Sequence, residues 1–513
     1  MLRIFLLWFL MQITSGARIL AVIGNPSYSH QLFYRPIWLE LAKRGHDIVL
    51  LTTDPMAEVP TNIKQINLHF AYDIRHNKYD LAKKMRDCNF NIFTLMNSFQ
   101  SMFHDIVDKE LSSPEVQILI RNKNEHFDLV ITEYLPATLT AFSERFKCPF
   151  ITIFSTEVDN YYHQVLGNML NPVLYPELMA PYEINLNFEQ RLSSTLYWLY
   201  NSFYKQSSWD RMDDALLKKH FGPLPPLKEI VRNVSVVLVN SHHVFSSKPM
   251  GPGFIRIGGG LHVSQKNELP KDIKTFLDSA VEGLIYFSLG TNVRSRNIQQ
   301  NSLNTFLNVF RRLPFKILWK LDADIPDIPT NVKIIKWVPQ QDVLKHKNVK
   351  LFITQCGAQS MEESILAEVP LLAIPFVSDQ KMNSQKIVNR GLGIEIDRTT
   401  MTDQILYESI MELINNESYK KRVKKTAMLL KDEPMSGLEK AIWWIEYVIR
   451  HKGAKHLWHP NLDLPLYKYF LLDVFGFLLL VIFVLSYMIY MVCNFLRKKF
   501  VSSSKVVVKA KKC

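Results

Sequence analysis

Val349-Lys350-Leu351-Phe352-Ile353-Thr354-Gln355-Cys356-Gly357-Ala358-Gln359-Ser360 is the stretch from which the fold can be read. Residues 349–354 form an apolar run of strand length, Gln355-Cys356-Gly357 a tight turn, and 359–367 the start of a helix with Ser360 in its first turn. Strand, turn and helix start in that order form the repeating unit of a parallel sheet covered by helices. Working outward, the same grammar predicts strands at 284–289, 316–321, 333–338, 371–376 and 394–396, with a helix near 299–312. Towards the N-terminus it predicts strands at 19–23, 48–51, 129–131, 150–154 and 234–239, and a helix over 31–44 that Gly45 closes. Residues 160–217, rich in Tyr, Trp, Leu and Met, read as a helical elaboration of the first half, and the Gly/Pro-rich stretch 249–260 as the break between halves. The expectation is α/β: two Rossmann-like doubly wound domains, 18–250 and 251–440, facing each other across a substrate cleft at the carboxyl ends of their strands.

The two ends of the chain read differently. Met1-Leu2-Arg3, an apolar run over 4–11 and the small residues Thr14, Ser15, Gly16 and Ala17 have the layout of a cleaved signal peptide, residues 1–17. A membrane-proximal helical segment is expected over 441–470 and a transmembrane helix over 471–496, whose charge-free residues 474–493 suffice to cross ~30 Å of hydrocarbon. The tail, 497–513, carries Arg497, Lys498, Lys499, Lys505, Lys509, Lys511 and Lys512 and no acid, which predicts a single-pass type I protein with a lumenal body. Lysines three and five places from the end resemble a dilysine retrieval signal, so the expected address is the endoplasmic reticulum membrane. These seven charges and Arg3 account for most of the net +13, leaving +5 for the body, and nucleic-acid binding is excluded as a reading. Cys88, Cys148 and Cys356 are an odd, sparse set and no disulfide framework. Asn233 and Asn416 stand in glycosylation sequons, the first beside a strand where burial is conceivable.

On local physics, the backbone N–H groups and partial positive charge of the helix after Gly357 suit a diphosphate, as they do in many strand-turn-helix units. The ordered set Trp337-Val338-Pro339-Gln340-Gln341-Asp342-Val343-Leu344, Phe352-Ile353-Thr354-Gln355-Cys356-Gly357, Ser360, Glu363, Pro375 and Asp379-Gln380 resembles the UDP-glycosyltransferase family, while Glu133, Pro26-Ser27-Tyr28-Ser29-His30-Gln31 and the tail resemble insect members in particular. The resemblance implies the two-domain GT-B fold and a UDP-sugar site. In it Trp337 would stack on uracil, Gln340 and Glu363 would meet the ribose, and Asp379 and Gln380 would read sugar hydroxyls. Ser288, Gly290, Thr291, Thr354, Gln355, Gly357 and Ser360 would face the phosphates, and Val338 and Gln359 complete the donor set. Two residues depart from the family pattern: Gln355 and Cys356 stand where most members have His and Gly, which costs a charged phosphate partner and adds a side chain in a crowded turn.

His30 closes Gly24-Asn25-Pro26-Ser27-Tyr28-Ser29-His30 after the first strand, where a neutral imidazole could serve as a base. Read from the residues alone, a helix-start hydrogen bonder is the better reading of it. The resemblance implies that it is the catalytic base, oriented by Glu133 where vertebrate-type members usually have Asp. The implied reaction is inverting transfer of a hexose, glucose before glucuronate, to a hydroxyl of a small lipophilic acceptor, with no metal or other cofactor. Asp322-Ala323-Asp324 has the spacing of a metal-binding acidic pair but lies in an acidic, Pro-rich loop and reads as solvated surface. A competing reading from another class is a regulatory membrane module that has kept the nucleotide site and lost turnover through Gln355, Cys356 and Glu133. Self-association into homo-oligomers is a further implication of the resemblance.

Overall fold

The computed structural model describes residues 16–80, 92–178, 180–263, 268–291, 298–376, 378–458 and 464–510. The leader expected over 1–17 lies almost wholly outside them. Residues up to Trp458 form one compact unit and those from His459 onward a second.

The first unit holds two parallel sheets. In the first, β1 (Arg18–Ile23), β2 (Asp47–Thr52), β3 (Ile63–Asn67), β4 (Leu129–Glu133), β5 (Phe150–Phe154), β6 (Val236–Val239) and β7 (Phe254–Arg256) run in the order β3-β2-β1-β4-β5-β6-β7. In the second, β8 (Leu284–Ser288), β9 (Lys316–Lys320), β10 (Val332–Ile335), β11 (Val349–Thr354), β12 (Leu371–Ala373) and β13 (Gly393–Glu395) run β10-β9-β8-β11-β12-β13. The inner strands β1, β4, β5, β8 and β11 are buried along nearly their whole length because helices cover both faces, which is why they read as unbroken apolar runs. Each sheet reverses its winding between its first and fourth strands, β1 and β4 in one and β8 and β11 in the other, and a ligand crevice opens at such a point.

Four helices of the first unit position the site. Helix α1 (Tyr28–Lys43) buries Phe33, Tyr34, Ile37, Trp38, Leu41 and Ala42 at helical spacing and ends at Gly45, whose φ of +89° only glycine adopts freely. Helix α2 (Ala358–Leu366) follows β11, and α3 (Gln380–Asn389) follows β12. The far end of α3 is pinned to the first domain by Lys386 on the buried Glu157, 2.7 Å, and by Arg390 on Glu183, 3.2 Å. Helix α4 (Gly437–His451) puts Ala441, Ile442, Ile445 and Val448 into the core beneath the first sheet, against the same cluster as Phe33 and Trp38 of α1.

Two expectations about the domains are corrected by this packing. The stretch read as the break, 249–260, contains β7, which pairs with β6 and so carries the first sheet past residue 250. The start of the expected membrane-proximal segment is α4, a core element of the first domain that starts at Gly437, before 441, because four buried apolar side chains outweigh any reason for it to stand apart. The second unit is dominated by α5 (Leu472–Ala510), whose residues 472–500, with a mean hydropathy of 2.5 over their most apolar 18 residues, are long and apolar enough to cross a membrane. Helix therefore continues beyond the expected end of the span at 496, into the basic tail.

Candidate active site

Pairing of Val22 with Thr132 sets the end of β4 alongside the end of β1. His30, in the first turn of α1, thereby meets Glu133, the last residue of β4, with Nδ1 2.5 Å from Oε1. A carboxylate can only accept, so this bond fixes the proton on Nδ1 and leaves the Nε2 lone pair as the basic site. Tyr34, one turn further along α1, donates to the same Oε1 at 3.0 Å, and burial followed by the charge of Glu133 holds its phenol far above the ordinary value. The second oxygen of Glu133 is buried without a partner, as are both oxygens of Glu110. The Glu110 carboxyl lies against Gly24, where a Cβ would stand 2.4 Å from it, and burial together with Glu133 pushes it well above the carboxylate range.

Across the cleft, Trp337 is half exposed, with the edge of Tyr28 from the first domain 5.2 Å away and the Lys320 ammonium 4.5 Å above its ring. Burial holds Lys320 down to about 8. Glu363 is buried and bonded at both oxygens: Gln340 donates to one at 2.6 Å, Gln341 and His262 to the other at 3.1 Å each. Gln340 also donates to Ser360 Oγ and accepts from Tyr286. Burial alone would raise the Glu363 carboxyl, but these hydrogen bonds and the charge of His262 outweigh it and hold it below the ordinary range.

Helix α2 begins at Gly357 with no side-chain cap and no acid in its first turn, so its N–H groups face the cleft uncompensated. Gln359 donates to the Ser155 carbonyl of the first domain, 3.0 Å. The Gln355 carboxamide lies over Gly290, where a Cβ would come within 2.1 Å of Nε2, and Gly290 has a φ of +72°. Cys356 also takes a left-handed backbone, φ +65°, and sends its thiol into the core behind the turn. The extra side chain thus finds room away from the cleft, at a cost of roughly 1 kcal/mol in backbone strain. Asp379 starts α3, buried and accepting from Asn383 at 2.7 Å; burial pushes its carboxyl up. Gln380 accepts from the Phe376 N–H, 2.8 Å.

His30, Gly290, Thr291, Trp337, Val338, Gln340, Gln355, Gly357, Gln359, Ser360, Glu363, Asp379 and Gln380 all line one cleft of about 270 Å³, shared by the two domains. Ser288 and Thr354 do not. Each is buried and turned into its own loop, Ser288 Oγ accepting from Gly290 N at 3.3 Å and Thr354 Oγ1 from Cys356 N at 3.2 Å. The expectation that they face the phosphates is therefore corrected. Tyr28, Thr156 and Lys320, which the sequence reading passed over, line the cleft. Lys320 was within reach of that reading, since it ends β9 opposite Ser288.

Asp322 and Asp324 are exposed and outside the cleft, Asp322 facing Lys336 at 3.7 Å. Among the described residues no group of three or more His, Cys, Asp or Glu is arranged to hold a metal ion. Asn233 is exposed, not buried, although its sequon partner Ser235 is buried. Asn416 is exposed and caps the following helix through Ser418 N.

A family model described as UDP-glucoronosyl and UDP-glucosyl transferase matches residues 18–507. UDP-glucosyltransferase 2 of Dactylopius coccus is 32% identical over 506 residues, 97% of this chain and 96% of its own length. The human UDP-glucuronosyltransferase 2B7 is 29% identical over 94% of both chains. Among solved structures, the calicheamicin glycosyltransferase superposes with a TM-score of 0.57 at 17% identity, over 85% of this chain and 99% of that one. It shares the GT-B fold, two Rossmann-like sheets flanking a cleft.

Proposed function

From the premise that this chain belongs to the UDP-glucuronosyl and UDP-glucosyl transferase family, and is a transferase enzyme, we propose that it moves glucose from UDP-glucose to a hydroxyl of a small lipophilic acceptor in one inverting step. The observation that carries this reading is the His30–Glu133 pair, 2.5 Å apart, opening onto the cleft that Trp337, Glu363 and the start of α2 also line.

His30 Nε2 takes the acceptor's hydroxyl proton while that oxygen bonds to the anomeric carbon. The bond from that carbon to the diphosphate breaks on the opposite face, and UDP leaves with the electron pair. Glu133 steadies the imidazolium that forms, and the leaving charge is met by the N–H groups at Gly357 to Ser360 and by Gln355 and Thr291. The step so drawn uses no metal. Uracil would stack on Trp337 between Tyr28 and Lys320, and the ribose diol would bond to Glu363.

The choice of sugar follows from charge. Lys320, a cation lining the cleft, stands at the Trp337 end, whereas the sugar end carries Asp379 beside Gln359 and Gln380. A C6 carboxylate would face Asp379 there, and a neutral hexose would not. The acceptor's character is supported by a largely apolar pocket in the first domain lined by Phe103, Tyr161, Val165 and the residues directly after Glu133, Tyr134 and Leu135. In the cell the body would face the lumen of the endoplasmic reticulum, held by α5 and addressed by the terminal lysines.

The test is transfer from radiolabelled UDP-glucose and UDP-glucuronate to a simple phenol, by membranes carrying the wild-type chain or His30→Ala. Glucose transfer at least tenfold above glucuronate transfer, abolished in the variant, is expected. Equal rates for the two chains would sink the reading, and faster glucuronate transfer would sink the choice of sugar.

A further inference from the structure

We propose that His262 is a positioning residue of the donor site, holding the Glu363 carboxylate in the orientation a ribose diol needs and tying it to the helix that carries His30. The proposal rests on the donor reading above and deepens it.

His262 lies in the segment that leads from the first sheet to the second and is buried. Its Nε2 stands 3.1 Å from Glu363 Oε1, and its carbonyl accepts from Gln341 Nε2, which donates to the same oxygen. Nδ1 faces Glu362 Oε2 at 4.0 Å, and Glu362 in turn accepts from the N–H groups of Gly259 and Gly260, 3.4 and 3.3 Å. The other face of the ring packs on Phe33 of α1, one turn beyond His30, with ring centroids 5.6 Å apart. One side chain thus touches the inter-domain segment, the ribose-facing carboxylate and the helix of the base.

Glu362 and Glu363 are adjacent buried carboxyls, burial raising that of Glu362, and a cation beside them favours the ionised form of Glu363. Burial pulls His262 down, but the bond to Glu363 and the charges of Glu363 and Glu362 together outweigh it, and it ends above the ordinary imidazole value. The charged groups facing it are those two glutamates on α2; α1 presents Phe33, and the inter-domain segment presents backbone. Protonated, His262 gives Glu363 a charge-assisted bond. As pH rises through its titration that bond weakens, Glu363 loses its fixed orientation, and donor affinity falls. Lys320 of β9, held down to about 8 and lining the same cleft, also loses its charge as pH rises, so the two contributions have to be separated.

Titration calorimetry of UDP into the detergent-solubilised full chain, from pH 7 to 9.5, separates them through His262→Gln, His262→Phe and Lys320→Met. His262→Phe is expected to weaken UDP about tenfold at pH 7 while the acceptor KM stays put. His262→Gln keeps an N–H for Glu363 but cannot titrate; it should recover most of the affinity and lose less of it with rising pH than the wild type, keeping only the part that Lys320→Met removes. His262→Gln following the wild-type pH curve, or His262→Phe folded and binding UDP as tightly as the wild type, would overturn the proposal. Should His262→Phe fail to fold, the pH curve of His262→Gln decides alone. A wild-type chain that binds no UDP at all would overturn the donor reading and the proposal with it.

Discussion

The two switch points of this molecule share a topology and differ in how their polar groups are satisfied. Both sheets run third, second, first, fourth, fifth, sixth in strand order, the first adding a seventh strand, and both bring site residues to the ends of their first and fourth strands. In the first domain these ends carry an imidazole and a single carboxylate, His30 and Glu133, with one Glu133 oxygen and both Glu110 oxygens buried and unbonded. In the second they end in Gly290 and in a helix start at Gly357, while the nearby carboxylate, Glu363, has both oxygens bonded. The first wall thus leaves carboxylate oxygens unbonded, whereas the second holds Glu363 fixed before any ligand arrives. That contrast is what a displacement reaction asks of its two walls.

Removing the base should break the first wall and leave the second intact. His30→Ala is expected to lower kcat by about 10³-fold, within the range for a lost general base, with the UDP Kd measured by calorimetry unchanged. The converse change is Trp337→Ala, which takes away a stacking face and should weaken UDP by roughly tenfold to a hundredfold while the rate at saturating donor holds. Gly290→Ala tests how tightly the second wall is preset. A φ of +72° and a Gln355 amide 2.1 Å from the new Cβ predict a loss of roughly 1 kcal/mol in stability and displacement of Gln355, read as a severalfold weaker UDP Kd and a lower Tm.

The smallest effect sharpens the account of the first wall. The folded-state Glu110 carboxyl is raised above its unfolded value, so its contribution to stability is present at low pH and is lost as pH rises through the folded value. Glu110→Gln should therefore raise Tm by a few degrees at pH 8 and make little difference near pH 4.5. A Tm difference independent of pH would contradict an uncompensated buried carboxyl there.

Much of this was legible in the sequence because inner parallel strands announce themselves: Leu129–Ile131 is an unbroken apolar run and Phe150–Phe154 is broken only by Thr152, both strands being buried on both faces. Ile63–Asn67 and Phe254–Arg256 were not legible. Both are edge strands, the first with Lys64 exposed and the second only three residues long inside a Gly/Pro-rich stretch. Packing, not local pattern, decided that Gly437–His451 belongs to the first core. At the site, a resemblance in sequence could name which loops face the cleft but not which way each side chain turns. Ser288 and Thr354 lie at buried strand ends, and each hydroxyl accepts from a backbone N–H of its own turn. Tyr28 and Lys320 reach the cleft through the pairing of strands and the approach of the two domains, neither of which a linear motif records.

The central claim is that the base and the leaving group sit on opposite walls of one cleft. The stereochemistry of the product tests it most directly. Proton NMR of the glucoside formed from α-linked UDP-glucose and a phenol should show the large anomeric coupling of a β-linkage, the result of attack from the His30 side. An α-linked product would mean that the sugar leaves on the face it entered, and would contradict the account.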